Sequence, residues 1–333
     1  MLYITTRSKR DAFTAYRTLK TDRAPDGGLF LPMQFPRLSE KEVQSMIDVS
    51  FEETIANVMN LFFSAGLTQW DVGFCIGRNT MRLSEIHTKV YFSELWHNPG
   101  SAYDYVVNGL YYRVLGNKSD VRPSEWFRIV AKIAIVFGIY GALCREKKIS
   151  FGDAFDLSVP ADDLSYPIAI LYAAEMGLPV GHLLCNCVEN QGIWSIIHRG
   201  ELSLIDDCDG WTAGLERLLL LRTGGECMER LLSNQRLFQL SPEETDRLKS
   251  NLSCVVSGGN RSRQAITSVF KHSGEILTPE SALCVAGLGD YRAITGEKRY
   301  TLVIEENSPV MYTKEIRMAT GLSEKQIEEA LKE

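Results

Sequence analysis

The chain has 333 residues, with 36 Lys and Arg against 42 Asp and Glu and a formal charge of −6. At about 100–200 residues per domain this length allows two domains, and 45% hydrophobic with 23% charged residues is the balance of a folded chain, not a disordered one. Mild acidity without a dense Lys/Arg run excludes a sequence-independent nucleic-acid surface, and eight dispersed cysteines with no charged-then-apolar leader read as reduced thiols in a cytoplasmic protein.

Residues 1–85 read as a mostly helical domain with little strand, its helices expected over 39–47, 51–63 and 69–76. Pro25-Asp26-Gly27-Gly28 has the composition of a tight turn, and Ser39-x-x-Glu42 is a capping box. From residue 86 to 333 short apolar, β-branched or aromatic strands are expected at 90–92, 155–159, 183–187, 254–256 and 300–304. Between them run helical stretches. The run 126–144 approaches the length of a membrane span, but Arg128 and Lys132 would each cost roughly 2.5–3.5 kcal/mol near a bilayer centre, so it reads as a buried core helix. Gly177 and Pro179 close the helix before them, and Ser241-Pro242-Glu243-Glu244 and Thr278-Pro279 open two more. Ser257-Gly258-Gly259-Asn260 is expected to turn and cap the next helix through Asn260. Buried strands separated by helices predict an α/β fold, a mostly parallel sheet flanked by helices.

Bare motifs carry little chemistry. No glycine-rich nucleotide loop, zincin helix or nucleophile elbow is present. His87, His97, His182, His198 and His272 are dispersed, and Cys185-Asn186-Cys187 lacks a second ligand pair at zinc spacing, so no metal is expected.

Several segments, in order along the chain, resemble the threonine synthase family, enzymes of the tryptophan-synthase-β-like fold that convert O-phosphohomoserine to threonine with pyridoxal phosphate. They are the opening MLYITTRS, Ala24-Pro25-Asp26-Gly27-Gly28-Leu29-Phe30-Leu31-Pro32, Glu94-Leu95-Trp96-His97-Asn98-Pro99, Ser158-Val159-Pro160 and Ala173-Ala174-Glu175-Met176-Gly177-Leu178-Pro179-Val180. Gly214-Leu215-Glu216-Arg217 and Leu277-Thr278-Pro279-Glu280 are weaker echoes. The resemblance implies the fold type of the pyridoxal-phosphate lyases.

The positions that the resemblance makes functional are altered. Asp104 stands where the family's imine-forming lysine is expected, and a carboxylate cannot form an imine. Ala161-Asp162-Asp163-Leu164-Ser165 replaces the glycine- and asparagine-rich phosphate loop. A helix N-terminus favours an anion by roughly 0.3–1 kcal/mol, whereas a carboxylate about 4 Å from a phosphate charge costs about 4 kcal/mol at an effective dielectric of 20. Glu306 replaces the small hydroxyl residue that faces the cofactor's ring nitrogen. Residues 116–123 are too few for the βαβ crossover of the family's small cofactor-covering domain, which therefore reads as deleted.

No catalytic, cofactor-binding or metal-binding residue is assigned on this reading. His97, Asp104, Asp162, Asp163 and Glu306 are vestigial cleft positions, and no bound cofactor is expected. The expected function is that of an inactive threonine-synthase-like protein, a regulatory or interaction protein in amino-acid metabolism that pairs with a second copy or a metabolic enzyme, with no membrane partner. Two alternatives stand beside it. One is an active family enzyme drawing its lysine from Lys89 or Lys118; the other is an amine-binding module using the acidic cleft.

Overall fold

The computed structural model describes residues 1–77, 81–95, 103–116, 122–161, 163–187, 192–203, 213–233 and 237–331. The amino-terminal part opens with strands β1 (Leu2–Thr5) and β2 (Phe13–Thr14), helix α1 (Ala15–Lys20) and strand β3 (Phe30–Pro32). These strands form an antiparallel sheet in the order β2-β1-β3. This sheet was not expected from the sequence, because strands of two to four residues are too short to show a period of two. The turn between α1 and β3 is as expected: Gly27 takes φ +75°, which costs glycine nothing, and Asp26 Oδ1 accepts the Gly28 N–H at 2.9 Å.

Helices α2 (Glu40–Ile47), α3 (Phe51–Phe63) and α4 (Gln69–Ile76) follow where expected. Ser39 and Glu42 form the reciprocal capping box at the head of α2. Strand β4 (Arg82–His87) spans the expected 85/86 division and turns directly into β5 (Val90–Glu94). Next come α5 (Tyr103–Leu115), α6 (Glu125–Arg145), β6 (Phe155–Pro160), α7 (Ser165–Glu175), β7 (Val180–Cys187), α8 (Gly192–Arg199) and the short strand β8 (Glu201–Ser203). Helices α9 (Ala213–Thr223) and α10 (Gly225–Ser233) lead to β9 (Leu237–Gln239), α11 (Pro242–Lys249) and β10 (Leu252–Val256). The chain finishes with α12 (Gly259–Ser273), α13 (Pro279–Thr295), β11 (Thr301–Glu305), α14 (Thr313–Thr320) and α15 (Glu324–Ala330). Asn260 does not cap α12; Gly258 is the cap residue and Asn260 lies inside the first turn.

All five strands expected after residue 86 are present. Together with β4 they build one six-stranded sheet in the order β10-β7-β6-β11-β5-β4, parallel throughout except for the β4–β5 hairpin. The last strand of the chain is thus inserted between two early ones. Side chains alternate across it. Leu302 and Ile304 of β11 face the core that contains α6 and α7, while Val303 faces the smaller core beneath α12 and α13. Among the described residues, helix α6 is the one long and apolar enough to span a membrane, yet it is buried inside the protein, as expected for a core helix. Each of its fully buried large apolar side chains contributes roughly 1.5–3 kcal/mol.

Two adjacent charged residues of α9 tie the amino-terminal part to this core. Glu216, with no exposed side-chain surface, accepts hydrogen bonds from Arg7 and from the Thr6 hydroxyl. Arg217, equally buried, donates to Glu125 Oε1 at 2.9 Å and to the Phe30 carbonyl at 3.0 Å.

Candidate functional site

Parallel strands aim their carboxyl ends at one edge of the sheet, where α/β proteins place ligands. Here that edge is formed by the segments leaving β5, β6, β7, β10 and β11. Of the five cleft positions named from the sequence, His97 and Asp162 lie outside the described residues. Asp104 is the second residue of α5, the helix that follows β5; its side chain is outside the described set. Asp163 and Glu306 are described, and the structure brings them to the same place.

What joins them is Lys132, which the sequence reading had treated only as a charge interrupting an apolar run. Its side chain leaves the middle of α6 and is 8% exposed. The ammonium is 3.1 Å from Glu306 Oε1, donates to Ser165 Oγ at 2.6 Å, and lies 4.2 Å from the centre of the Tyr166 ring. Ser165 passes the interaction on. Its hydroxyl donates to Asp163 Oδ1 at 2.7 Å and its N–H to the same oxygen at 2.9 Å. Strand parity explains the meeting: Glu306 continues the face of Leu302 and Ile304, which is the α6 face.

The electrostatics follow from burial and from this one cation. Burial pushes the Glu306 carboxyl above its usual range, and Lys132 opposes that rise without cancelling it. For Asp163 burial also pushes upward, but Lys132 and the Ser165 hydroxyl and N–H outweigh it and hold the carboxyl below its usual range. The loop that presents Asp163 is conformationally constrained. Leu164 has φ +60°, the left-handed region that a branched side chain rarely takes, and Gly214 of α9 packs directly against it.

A second carboxyl pair lies on the opposite face of the same strand ends, and sequence reasoning gave no sign of it. Glu305 stands in register with Glu94 across the β11–β5 pair and accepts the Thr278 N–H at 2.6 Å. Glu94 is paired with Arg82 at 2.7 Å. Glu305 is 1% exposed, its Oε2 has no hydrogen-bond partner among the described residues, and burial pushes its carboxyl well above the ordinary range.

Of the two other lysines considered from the sequence, the described one, Lys89, does not reach this edge. Lys89 sits at the tip of the β4–β5 hairpin, at the amino end of β5, with its ammonium 4.9 Å from the Tyr300 ring. Lys118 lies outside the described residues. No group of three or more His, Cys, Asp or Glu suited to a metal occurs among the described residues, and Cys185 and Cys187 are buried on β7.

Residues 2–79 match the family profile described as "Threonine synthase N terminus". Human threonine synthase-like 1 is 25% identical over 180 residues, which is 50% of this chain and 24% of that protein. The mouse protein of the same name is 28% identical over 86 residues, 26% of this chain and 12% of that protein. The chain therefore matches about a quarter or less of the length of these relatives. Among solved structures, threonine synthase from Brucella melitensis with pyridoxal phosphate bound has a TM-score of 0.78 at 16% identity, covering 99% of this chain and 94% of that one. Yeast threonine synthase has a TM-score of 0.77 at 15% identity, covering 98% and 91%. The fold is that of the pyridoxal-phosphate threonine synthases, as the resemblance implied.

The expectation that no cofactor is bound is overturned by the comparison with the Brucella structure, which carries pyridoxal phosphate on this fold. That group is the family's cofactor. In the arrangement seen here the described residues do not form a ready phosphate cradle. The Ser165 hydroxyl and N–H both bond Asp163, and the Lys132 ammonium is paired with Glu306, so a phosphate would have to displace the Asp163 carboxylate.

Proposed function

We propose, for a chain that is threonine-synthase-like in its amino-terminal sequence and in its fold, that it does not convert O-phosphohomoserine to threonine and serves as a non-catalytic member of amino-acid metabolism. The observation that carries this reading is the absence of an amine nucleophile where the family's chemistry needs one. The stretch from Val90 through Asn117, which spans β5, the residues after it and α5, contains no lysine, and Asp104 holds the second position of that helix. Lys132, which does reach the cleft, enters from α6 and not from the helix after β5, and its amine is held between Glu306 and Ser165. Helices α5 and α6 are separated by residues 116–124 alone, too few for a βαβ unit to close over a substrate.

The surface left open at the strand ends suits a protein contact, either with a second copy or with a metabolic enzyme. The test supplies the purified protein with pyridoxal phosphate and O-phosphohomoserine and measures threonine and phosphate. The Escherichia coli threonine synthase, solved with the same fold, serves as the positive control. Neither product should exceed the protein-free rate; threonine formed in proportion to protein, and abolished by heat, would overturn the reading. Sedimentation of the protein alone then distinguishes self-association from a need for another partner.

The amine-binding alternative rests on acidic charge at Asp104, Asp162, Asp163 and Glu306; of these, Glu306 lies 3.1 Å from Lys132 and Asp163 accepts from the Ser165 hydroxyl that Lys132 also reaches, which favours the first reading.

A further inference from the structure

Lys132 makes contacts of three kinds, each characteristic of ammonium recognition. A carboxylate oxygen lies 3.1 Å away, a hydroxyl oxygen accepts at 2.6 Å, and an aromatic face stands 4.2 Å off. A second carboxylate, Asp163, is bonded to that same hydroxyl. These groups come from two separate elements, the head of α7 and the residue after β11, while the ammonium comes from a third, α6. A lysine in the middle of a buried apolar helix survives only if such partners are waiting for it, because desolvating the cation is otherwise unfavourable.

We propose that Glu306, Asp163, Ser165 and Tyr166 form an ammonium-binding site at the carboxyl edge of the sheet, and that its occupant is the protein's own Lys132, which closes the site to free amines. The cleft then holds a tethered ligand in place of an external one. The inference takes from the proposed function only the location of the cleft, and its outcome is read without any turnover, so either can fail alone.

Truncating Lys132 to alanine removes Cγ, Cδ, Cε and Nζ, which together are the atoms of n-propylammonium. That cation is the probe. Lys132→Ala should lower the thermal midpoint by several degrees, and n-propylammonium chloride should restore most of the loss saturably, where sodium chloride at the same concentration does not. The wild type should not respond. Adding Glu306→Gln to the alanine variant should weaken the rescue at least tenfold. No rescue of a folded Lys132→Ala protein, or an equal shift in the wild type, would overturn the proposal.

Reductive methylation of the wild type gives a second readout that does not depend on the variant folding. Lys132 should stay unmodified while exposed lysines such as Lys325, with a side chain 85% exposed, are methylated. Methylation of Lys132 at the rate of Lys325 would show that the site is open.

Discussion

Adding one methyl at Gly214 is expected to destabilise the protein through the loop that carries Asp163 and Ser165. Gly214 lies in the first turn of α9, and a Cβ there would stand 2.9 Å from the Asp163 carbonyl oxygen and 3.3 Å from Leu164 Cα, with Leu164 Cβ closer still. Carbon atoms prefer separations of about 3.5–4.0 Å. None of these three neighbours can rotate away, since two are backbone atoms and the third is fixed to the backbone. The loop itself has to move, and Leu164 already holds a left-handed conformation that costs roughly 1–2 kcal/mol. Overpacking of this kind costs about 1–3 kcal/mol, against a helix-propensity gain from Gly→Ala of at most about 1 kcal/mol. The net expectation is a loss of about 1–2 kcal/mol. Gly289 in α13 is the matched control: a Cβ there meets nothing within 4 Å among the described residues, so Gly289→Ala should be neutral or stabilising. Urea denaturation of both variants, followed by far-UV dichroism, compares them directly. If Gly214→Ala unfolds at the same or higher urea than Gly289→Ala, the packing argument is wrong.

Arg217→Met should cost about 3 kcal/mol, the low end of the range for breaking a buried pair, because its partner Glu125 keeps 28% of its side chain in water. The Phe30 carbonyl also loses a donor. A urea midpoint shift equivalent to less than about 1 kcal/mol would mean that the guanidinium adds nothing beyond its packing. Glu305 supplies a pH prediction whose sign is fixed by the direction of its shift. Its native carboxyl is raised far above the unfolded value by burial, with Glu94 beside it adding to the rise, so the native state holds a proton that the unfolded state releases. That contribution is fully present below the unfolded carboxyl value, near 4.5, and is lost as pH rises through the native one. Glu305→Gln should flatten the fall in thermal midpoint on going from acid to neutral pH; an unchanged slope would place the buried proton elsewhere.

How much of this could be read from the chain depends on whether a feature is local. The five strands from β5 to β11 in the main sheet were legible because a strand buried on both faces is a short continuous apolar run, and its flanking helices announce themselves with Ser39, Ser241-Pro242 and Thr278-Pro279. The turn at Gly27 was legible for the same reason. The strands β1, β2 and β3 were not, since two to four residues cannot display a period. The carboxylates at the sheet edge were legible as residues and not as an arrangement. Asp163 and Glu306 could be named, but the cation between them could not, although a single lysine within the apolar run of α6 was a signal that something polar awaited it.

The sequence by itself determined the class of fold and the element boundaries set by caps and glycines, because each of these is written in neighbouring positions. Only the tertiary structure decided what the residues at the sheet edge do to one another. Inserting β11 between β6 and β5 is a choice of topology, and it sets Glu306 against Lys132 on one face and Glu305 beside Glu94 on the other. Contacts between residues so distant in the chain are set by packing of the whole sheet, and no local pattern encodes them. The −6 charge that opened as a mild acidic balance includes carboxylates that are neutralised or held by a proton once the strands are in order.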